Sequence, residues 1–236
     1  MKIDLHCHTE ASPDSSTPFA AIPPRCREQG IAVQAVADHG TIEGALQVKV
    51  VAEAEVEAGA AGPTIIIAEE IRTPEGELIG LFLEENIPNG LSPEETVERI
   101  QAQGGLVLLP HGFDPLKPSR LKPSARLRIV DAIDIVETFN THVSWNGWNR
   151  AAEAWALVRG LPTSAGSDAH SLAAIGSAWS EVPDQPIHTP QDLLDALEKG
   201  TTGGRWTHPL AVSLQTLWDR VRRRIAELGT GNGLCH

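Results

Sequence analysis

The 236-residue chain has no tyrosine, four phenylalanines, one methionine and only three cysteines. Three cysteines cannot build a disulfide framework, and Cys7, Cys26 and Cys235 lack zinc-ribbon spacing, so a reducing compartment is expected. Long apolar runs are missing as well. Stretches such as Ile65-Ile66-Ile67-Ala68 fall far short of the roughly 20 residues a membrane helix needs. Met1-Lys2-Ile3-Asp4 runs into an acid without the apolar core of a signal peptide, so the expected location is the cytoplasm. Basic residues are the minority, 19 Lys and Arg against 31 Asp and Glu, and the net charge of −12 argues against broad attraction to nucleic acid. Carboxylates that hold cations also count as negative in that sum.

The chain does have alternation. Short apolar runs at Ile3 to His6, Ile31 to Ala37, Thr64 to Glu69, Leu78 to Leu83, Leu106 to Pro110, Ile133 to Thr138 and Pro162 to Ala165 read as strands. Helices are expected between them. Ser92-Pro93-Glu94-Glu95 is a capping box with proline at the first helical position, closed by Gly104. Thr189-Pro190 opens another helix that Gly200 ends, Pro23-Pro24 marks a third, and a fourth runs from about Trp148 to Gly160. Near the C-terminus Leu214, Leu217, Val221, Ile225 and Leu228 recur at helical spacing, with Arg220, Arg222, Arg223 and Arg224 on a solvated face. The expectation is an α/β fold in one domain over residues 1–228, with a frayed tail at 229–236.

Chemistry-bearing side chains follow the strands. His6-Cys7-His8 places two imidazoles on one face of an extended chain, with Cys7 facing away. Asp14 lies six residues on. Asp38-His39-Gly40 closes the second strand, Glu69-Glu70 the third, His111-Gly112 the fifth, and Asp168-Ala169-His170 follows the seventh. Strand ends of a parallel barrel converge on one face. These residues are therefore expected to build one polynuclear metal site, and imidazole mixed with carboxylate suits zinc, manganese or iron. Asp38, beside His39, is read as a catalytic-site residue that orients a neighbour. The segment Gly112 to Arg128 carries Lys117, Arg120, Lys122, Arg126 and Arg128 against Asp114, a net +4 that leaves −16 on the rest. A cationic loop after His111 is placed to clamp a phosphorylated substrate, with Arg120 as the first candidate.

The constellation Asp4-Leu5-His6-Cys7-His8-Thr9 with Ser12 and Asp14, Ala37-Asp38-His39-Gly40, Glu70-Ile71, Pro110-His111 and Gly166-Ser167-Asp168-Ala169-His170 resembles the PHP (polymerase and histidinol phosphatase) family. Val136-Glu137-Thr138-Phe139-Asn140 is similar to a Glu-x-x-Asn stretch in one branch of it. The resemblance runs from about residue 2 to 180. It implies a distorted seven-stranded (β/α)7 barrel holding two or three divalent metals. His6, His8 and Asp168 would bind the first, Glu70 would bridge to a second held by His111, and Asp14, His39 and His170 would hold a third. Glu69 is adjacent to Glu70, and a shift of one residue exchanges them. Asn140 and His142 stand in the segment that supplies the remaining ligand or a substrate contact. The implied activity is metal-dependent hydrolysis of a small phosphomonoester or nucleotide by a metal-bridging hydroxide. The alternative is an exonuclease acting on short single strands, with Trp145 and Trp148 as stacking platforms. A metal-dependent amidohydrolase is disfavoured by the short chain. Nucleic acid enters only as a substrate, no membrane partner is expected, and no oligomeric state follows.

Overall fold

The structure, a computed structural model, describes residues 1–206 and Trp218. The expected C-terminal helix around Leu214 to Leu228, its arginines and the tail at 229–236 lie outside the described residues. Nine strands form one sheet in the order β7-β6-β5-β4-β3-β2-β1-β8-β9. They are β1 (Lys2–Cys7), β2 (Ile31–His39), β3 (Thr64–Thr73), β4 (Gly76–Leu81), β5 (Leu106–Leu109), β6 (Ile135–Asn140), β7 (Thr163–Gly166), β8 (Ala178–Glu181) and β9 (Thr201–Gly204). The sheet curls into a nearly closed barrel. Its seam is a parallel bridge between Cys7 and Ala169, flanked by His8 N–H donating to Ala169 O (2.9 Å) and Asp168 N–H donating to His6 O (2.8 Å).

All seven expected strands are present, and two were not expected. Strands β8 and β9, Ala-Trp-Ser-Glu and Thr-Thr-Gly-Gly, are too short and too polar to carry an apolar signal. The strict (β/α)7 pattern also fails in direction. Strand β4 forms a hairpin with β3 and runs antiparallel to both β3 and β5, so no helix separates the third and fourth strands. Thr73-Pro74-Glu75-Gly76 turns too tightly for a crossover, and Gly76, at φ +126°, lies where a Cβ would strike the Leu121 backbone at 2.4 Å.

The helices are α1 (Ile22–Gln29), α2 (Glu43–Glu57), α3 (Pro93–Ala102), α4 (Pro123–Arg128), α5 (Gly147–Arg159) and α6 (Pro190–Leu197). Ser92 and Thr189 cap α3 and α6 with both halves of the capping box in place. Gly160 ends α5 in the left-handed conformation.

Period-two alternation sorts the strand residues into two cores. Val36, Ile67, Leu78, Val107 and Val136 pack outward against Ile22, Val48, Ile100 and Ala156 of the helices. Ile3, Leu5, Val33, Ala35, Ala37, Ile66, Ala68, Leu81, Leu108 and Ile135 fill the interior, plugged by Leu193 and Leu197 of α6. Following each inward row to the mouth changes its chemistry from aliphatic to ionisable. Ala37 gives way to His39, Ala68 to Glu70, Ile79 to Glu77 and Ile135 to Glu137. In β1 a register shift between Asp4 and Cys7 breaks the alternation, and Cys7 joins the outer core.

Candidate metal centre

Four donors from two strands, β1 and β3, and from the segments that follow β1 and β7 come together at the mouth. His6 Nε2 lies 3.1 Å from His8 Nε2, 3.6 Å from Glu70 Oε2 and 3.6 Å from Asp168 Oδ1. His8 Nε2 lies 3.5 Å from Glu70 Oε2 and 3.4 Å from Asp168 Oδ1. Donors sharing one divalent ion at about 2.1 Å sit about 3.0–3.4 Å apart in octahedral or tetrahedral geometry. The residues therefore fit a metal ion. Glu70 reaches three ways, with Oε1 2.9 Å from His111 Nε2 and Oε2 3.1 Å from His39 Nδ1. Asp14 Oδ2 stands 3.3 Å from His39 Nε2 and 3.4 Å from His170 Nε2, and the His8 and His170 rings lie 4.2 Å apart. The eight sequence-derived ligand candidates thus form one continuous cluster.

Two of them occupy unusual backbone. His111 at φ 29° and Asp168 at φ 52° are two of the three non-glycine residues with positive φ among those described. Such conformations cost energy and concentrate where a side chain must be aimed.

Period two also separates the two adjacent glutamates. Glu70 points into the cage, whereas Glu69 points out, its Oε2 accepting from Ile87 N–H at 2.8 Å while Oε1 has no partner. Burial pushes the Glu69 carboxyl from 4.5 up to about 7. The folded chain thus holds this proton to higher pH than the unfolded chain, and stability falls as pH rises between about 4.5 and 7. Glu69→Gln is expected to melt above wild type at pH 8 and to lose most of that advantage at pH 5; equal offsets at both pH values would refute the assignment.

A second layer holds the donors. Glu137 Oε1 accepts from His6 Nδ1 (3.0 Å), and its Oε2 accepts from His111 N–H (2.7 Å) and from Asn140 Nδ2 (2.9 Å). A carboxylate behind a histidine fixes the tautomer and frees Nε2 for a metal. The Glu-x-x-Asn stretch pointed at these two residues without revealing this role. Asn140 is wholly buried, and its amide donates to Glu137 Oε2 and to Asp168 Oδ2 (3.2 Å), so it braces the cage. Asp38 likewise braces the donors from behind, by hydrogen bonds. It is fully buried and accepts from Thr9 N–H, Thr9 Oγ1 and Ser12 Oγ at 2.6–2.7 Å. Ser12 Oγ in turn lies 3.3 Å from His8 Nδ1 and accepts from His39 N–H at 3.0 Å. Asp38 is therefore a positioning residue.

Among the described residues, the cation shown in contact with the cage is Lys117. Lys117 Nζ lies 2.7 Å from Asp168 Oδ2. Arg120 instead lies close enough to Arg126 for burial and this second guanidinium to lower Arg126 to about 10. Arg126 is itself engaged, donating to Gly112 O and stacked 4.0 Å over Phe113. The basic segment is built rather than loose. Asp114 accepts from both Ser144 N–H and Ser144 Oγ, and Glu77 N–H donates to Ser119 O. Spacing identified the loop, but which cation turns inward depends on its tertiary anchors.

His142 packs 5.6 Å from the His170 ring, with Nδ1 3.8 Å from Asp168 Oδ2. His188 sits beside the α6 cap, where its N–H donates to Asp192. Trp145 is exposed and meets Trp148 edge-on at 5.5 Å.

Electrostatics prepare the cage for cations. Burial would raise Asp168, but Lys117 and His6 outweigh it and hold the carboxyl well below the usual carboxylate range. Burial would raise Glu70 too, and His6, His111 and His39 hold it far down. Burial and His170 push His8 down to about 3, leaving it neutral and able to donate a lone pair. Burial would lower His6, but Asp168, Glu70 and Glu137 outweigh it and hold the imidazole well above its usual range.

A family model described as PHP-associated matches residues 146–202. The chain is 41% identical over 152 residues to uncharacterized protein MJ1587 of Methanocaldococcus jannaschii, covering 60% of this chain and 83% of that one. In structure it is similar to a two-domain protein from Bacteroides vulgatus containing a predicted PHP-like metal-dependent phosphoesterase, with TM-score 0.68 at 15% identity. That alignment covers 87% of this chain but spans only 65% of the other. The PHP-associated match and this structural likeness support the PHP family for the chain. Within the PHP fold it is also similar to a lesion-specific endonuclease from Pyrococcus furiosus, with TM-score 0.55 at 18% identity, over 84% of this chain and 55% of that one. The PHP-associated match covers α5, β7, β8 and α6, the part that closes the seam and supplies Asp168 and His170. No helix among the described residues is long and apolar enough to cross a membrane.

Proposed function

We propose that this PHP protein is a metal-dependent phosphoesterase that hydrolyses a small phosphomonoester or nucleotide, acting as one domain over residues 1–228 in the cytoplasm. The observation that carries this reading is that His6, His8 and Glu70 bring donor atoms within 4.8 Å of one another, while Asp168 Oδ1 lies 3.6 Å from His6 and 3.4 Å from His8 beside the Lys117 ammonium. His6, His8, Glu70 and Asp168 would hold one zinc, manganese or iron ion, Glu70 and His111 a second, and Asp14, His39 and His170 a third. When bound, such ions bring the pKa of a water towards neutrality and withdraw charge from phosphoryl oxygens. Glu137 keeps His6 aimed, Asn140 keeps Asp168 aimed, and Asp38 acts on His8 through Ser12. Lys117 and His142 face the mouth from one side. Lys117 supplies positive charge to a phosphate, and His142, which burial lowers to about 4, is a neutral hydrogen-bond partner. In the net reaction a water oxygen bonds to phosphorus, the ester P–O bond breaks, and the alcohol leaves with a proton.

Metal analysis of purified protein, paired with phosphate release from nucleotides, sugar phosphates and short oligonucleotides, tests the reading. Two or three ions per chain with release from a monoester are expected, and fully metallated protein that releases nothing would sink it. Lys117→Ala is expected to raise KM for the best substrate by about 10–100-fold, as loss of a charge-assisted contact does, with a smaller change in kcat. Arg120→Ala should leave both unchanged.

Trp145 favours a second reading, an exonuclease, because an exposed indole three residues after His142 can stack a base. Oligonucleotide binding at low salt that weakens in Trp145→Ala would favour it, and no binding at low salt would remove it.

A further inference from the structure

The reversed strand β4 brings a carboxylate into the mouth that neither the strand-end pattern nor the motifs contain. Glu77 is 2% exposed and points inward beside Glu70. Its Oε2 lies 3.9 Å from His111 Nε2, and donor atoms of His39, Glu70 and Glu77 lie within 4.8 Å of one another. Its Oε1 is held by Arg72, whose Nε and Nη2 each donate at 3.3 Å. Arg72 holds one oxygen from outside, Ser119 also hydrogen-bonds this carboxylate, and Oε2 lies toward the imidazole. Two carboxylates this close inside a protein repel each other, and among the described residues the group that lies against both is the His111 imidazole. On the far side of the pair His111 Nδ1, in a ring 4% exposed, has no partner.

We infer that Glu77 is a metal ligand, completing with Glu70 Oε1 and His111 Nε2 the site for the second ion. The inference rests on the metal-dependent reading above. It makes the two neighbouring sites chemically unlike. The first takes two imidazoles and two carboxylates, the second one imidazole and two carboxylates, so the second prefers a harder ion such as manganese over zinc. Arg72 acts as the holder of that ligand, in the way outer partners orient metal-binding side chains.

The test is Mn²⁺ binding to the full chain, by calorimetry and by ion count after gel filtration, with no substrate present. Glu77→Gln keeps the shape and removes the charge. It is expected to lose one ion per chain, or to weaken one class of site by at least about tenfold, with the other sites unchanged. His111→Ala should lose the same ion, and the double variant should lose no more than either single one. Glu77→Asp, which keeps the charge and shortens the reach, should retain the ion with weaker affinity and covers the case in which Glu77→Gln does not fold. Wild-type stoichiometry and affinity in Glu77→Gln, or in Glu77→Asp where the former is unfolded, would overturn the assignment. So would a double variant that loses two ions. Phosphate release is not part of the readout. A chain that loses its ion in Glu77→Gln yet hydrolyses no ester would leave Glu77 a ligand while the phosphoesterase reading falls.

Discussion

Asp168→Ala is expected to remove phosphate release to below about one part in a thousand of wild type, the loss that follows when a metal-assisted hydrolysis is deprived of its ion. The side chain joins three systems. Its Oδ1 faces His6 and His8, its Oδ2 takes Lys117 and Asn140, and its left-handed backbone aims it inward. Removing it leaves the Lys117 ammonium, buried with only part of its side chain exposed, without its carboxylate. The variant should therefore differ from His8→Ala, which loses the same ion but keeps the Lys117 ion pair. Both should bind one ion fewer, and Asp168→Ala should melt lower when both are stripped of metal. Activity within tenfold of wild type in metallated Asp168→Ala would refute the site as drawn.

Gly166→Ala is expected to damage the cage from behind. A Cβ at this position would lie 2.1 Å from Glu137 Oε1 and 2.5 Å from the His6 Cβ. Neither can yield freely, because Glu137 is tied to His6, His111 and Asn140. Overpacking of this kind costs about 1–3 kcal/mol, and displacing the carboxylate that orients a ligand histidine lowers metal affinity about 10–100-fold. Gly30→Ala is the contrast. Gly30 ends α1 at φ +70° with nothing within 4 Å of the added carbon, so it should cost about 1 kcal/mol of backbone strain and leave metal binding alone. Thermal melts with and without Mn²⁺, beside a metal titration, separate the two. A Gly166→Ala protein with wild-type metal affinity would mean that Glu137 does not set the His6 orientation.

Much of the fold was legible because buried strands announce themselves as apolar runs, and seven did. Strands β8 and β9 escaped because Trp179 and Ser180, Gly203 and Gly204 show no hydrophobic rhythm and are paired by geometry alone. The direction of β4 also escaped, since an antiparallel strand has the same composition as a parallel one, and only the short Thr73-to-Gly76 connection betrays it. The ligand candidates were legible for a topological reason, namely that strand ends converge. Glu77 stands at a strand beginning, so that rule could not find it. Lys117 and Arg120 are equivalent in sequence, and packing of Arg126 on Phe113 and Trp155 distinguishes their surroundings. Asp38 and Asn140 were recognised as belonging to the centre, but residue type cannot tell a side chain that touches the reacting atoms from one that holds those that do.

The seam between Cys7 and Ala169 sets a constraint on biosynthesis. His6 and His8 are synthesised more than 150 positions before the partners that complete their cage, Asp168 and His170. Until then β1 has β2 to pair with, but the seam edge of the nascent barrel stays open, with its imidazoles facing water. Pairings of such long sequence separation form slowly because the loop must close before any contact rewards it. An ion that reaches His6 and His8 early can only be held loosely, since half its ligands do not yet exist. If the cage binds an ion as proposed, its choice of metal is expected to be made when the last strands dock.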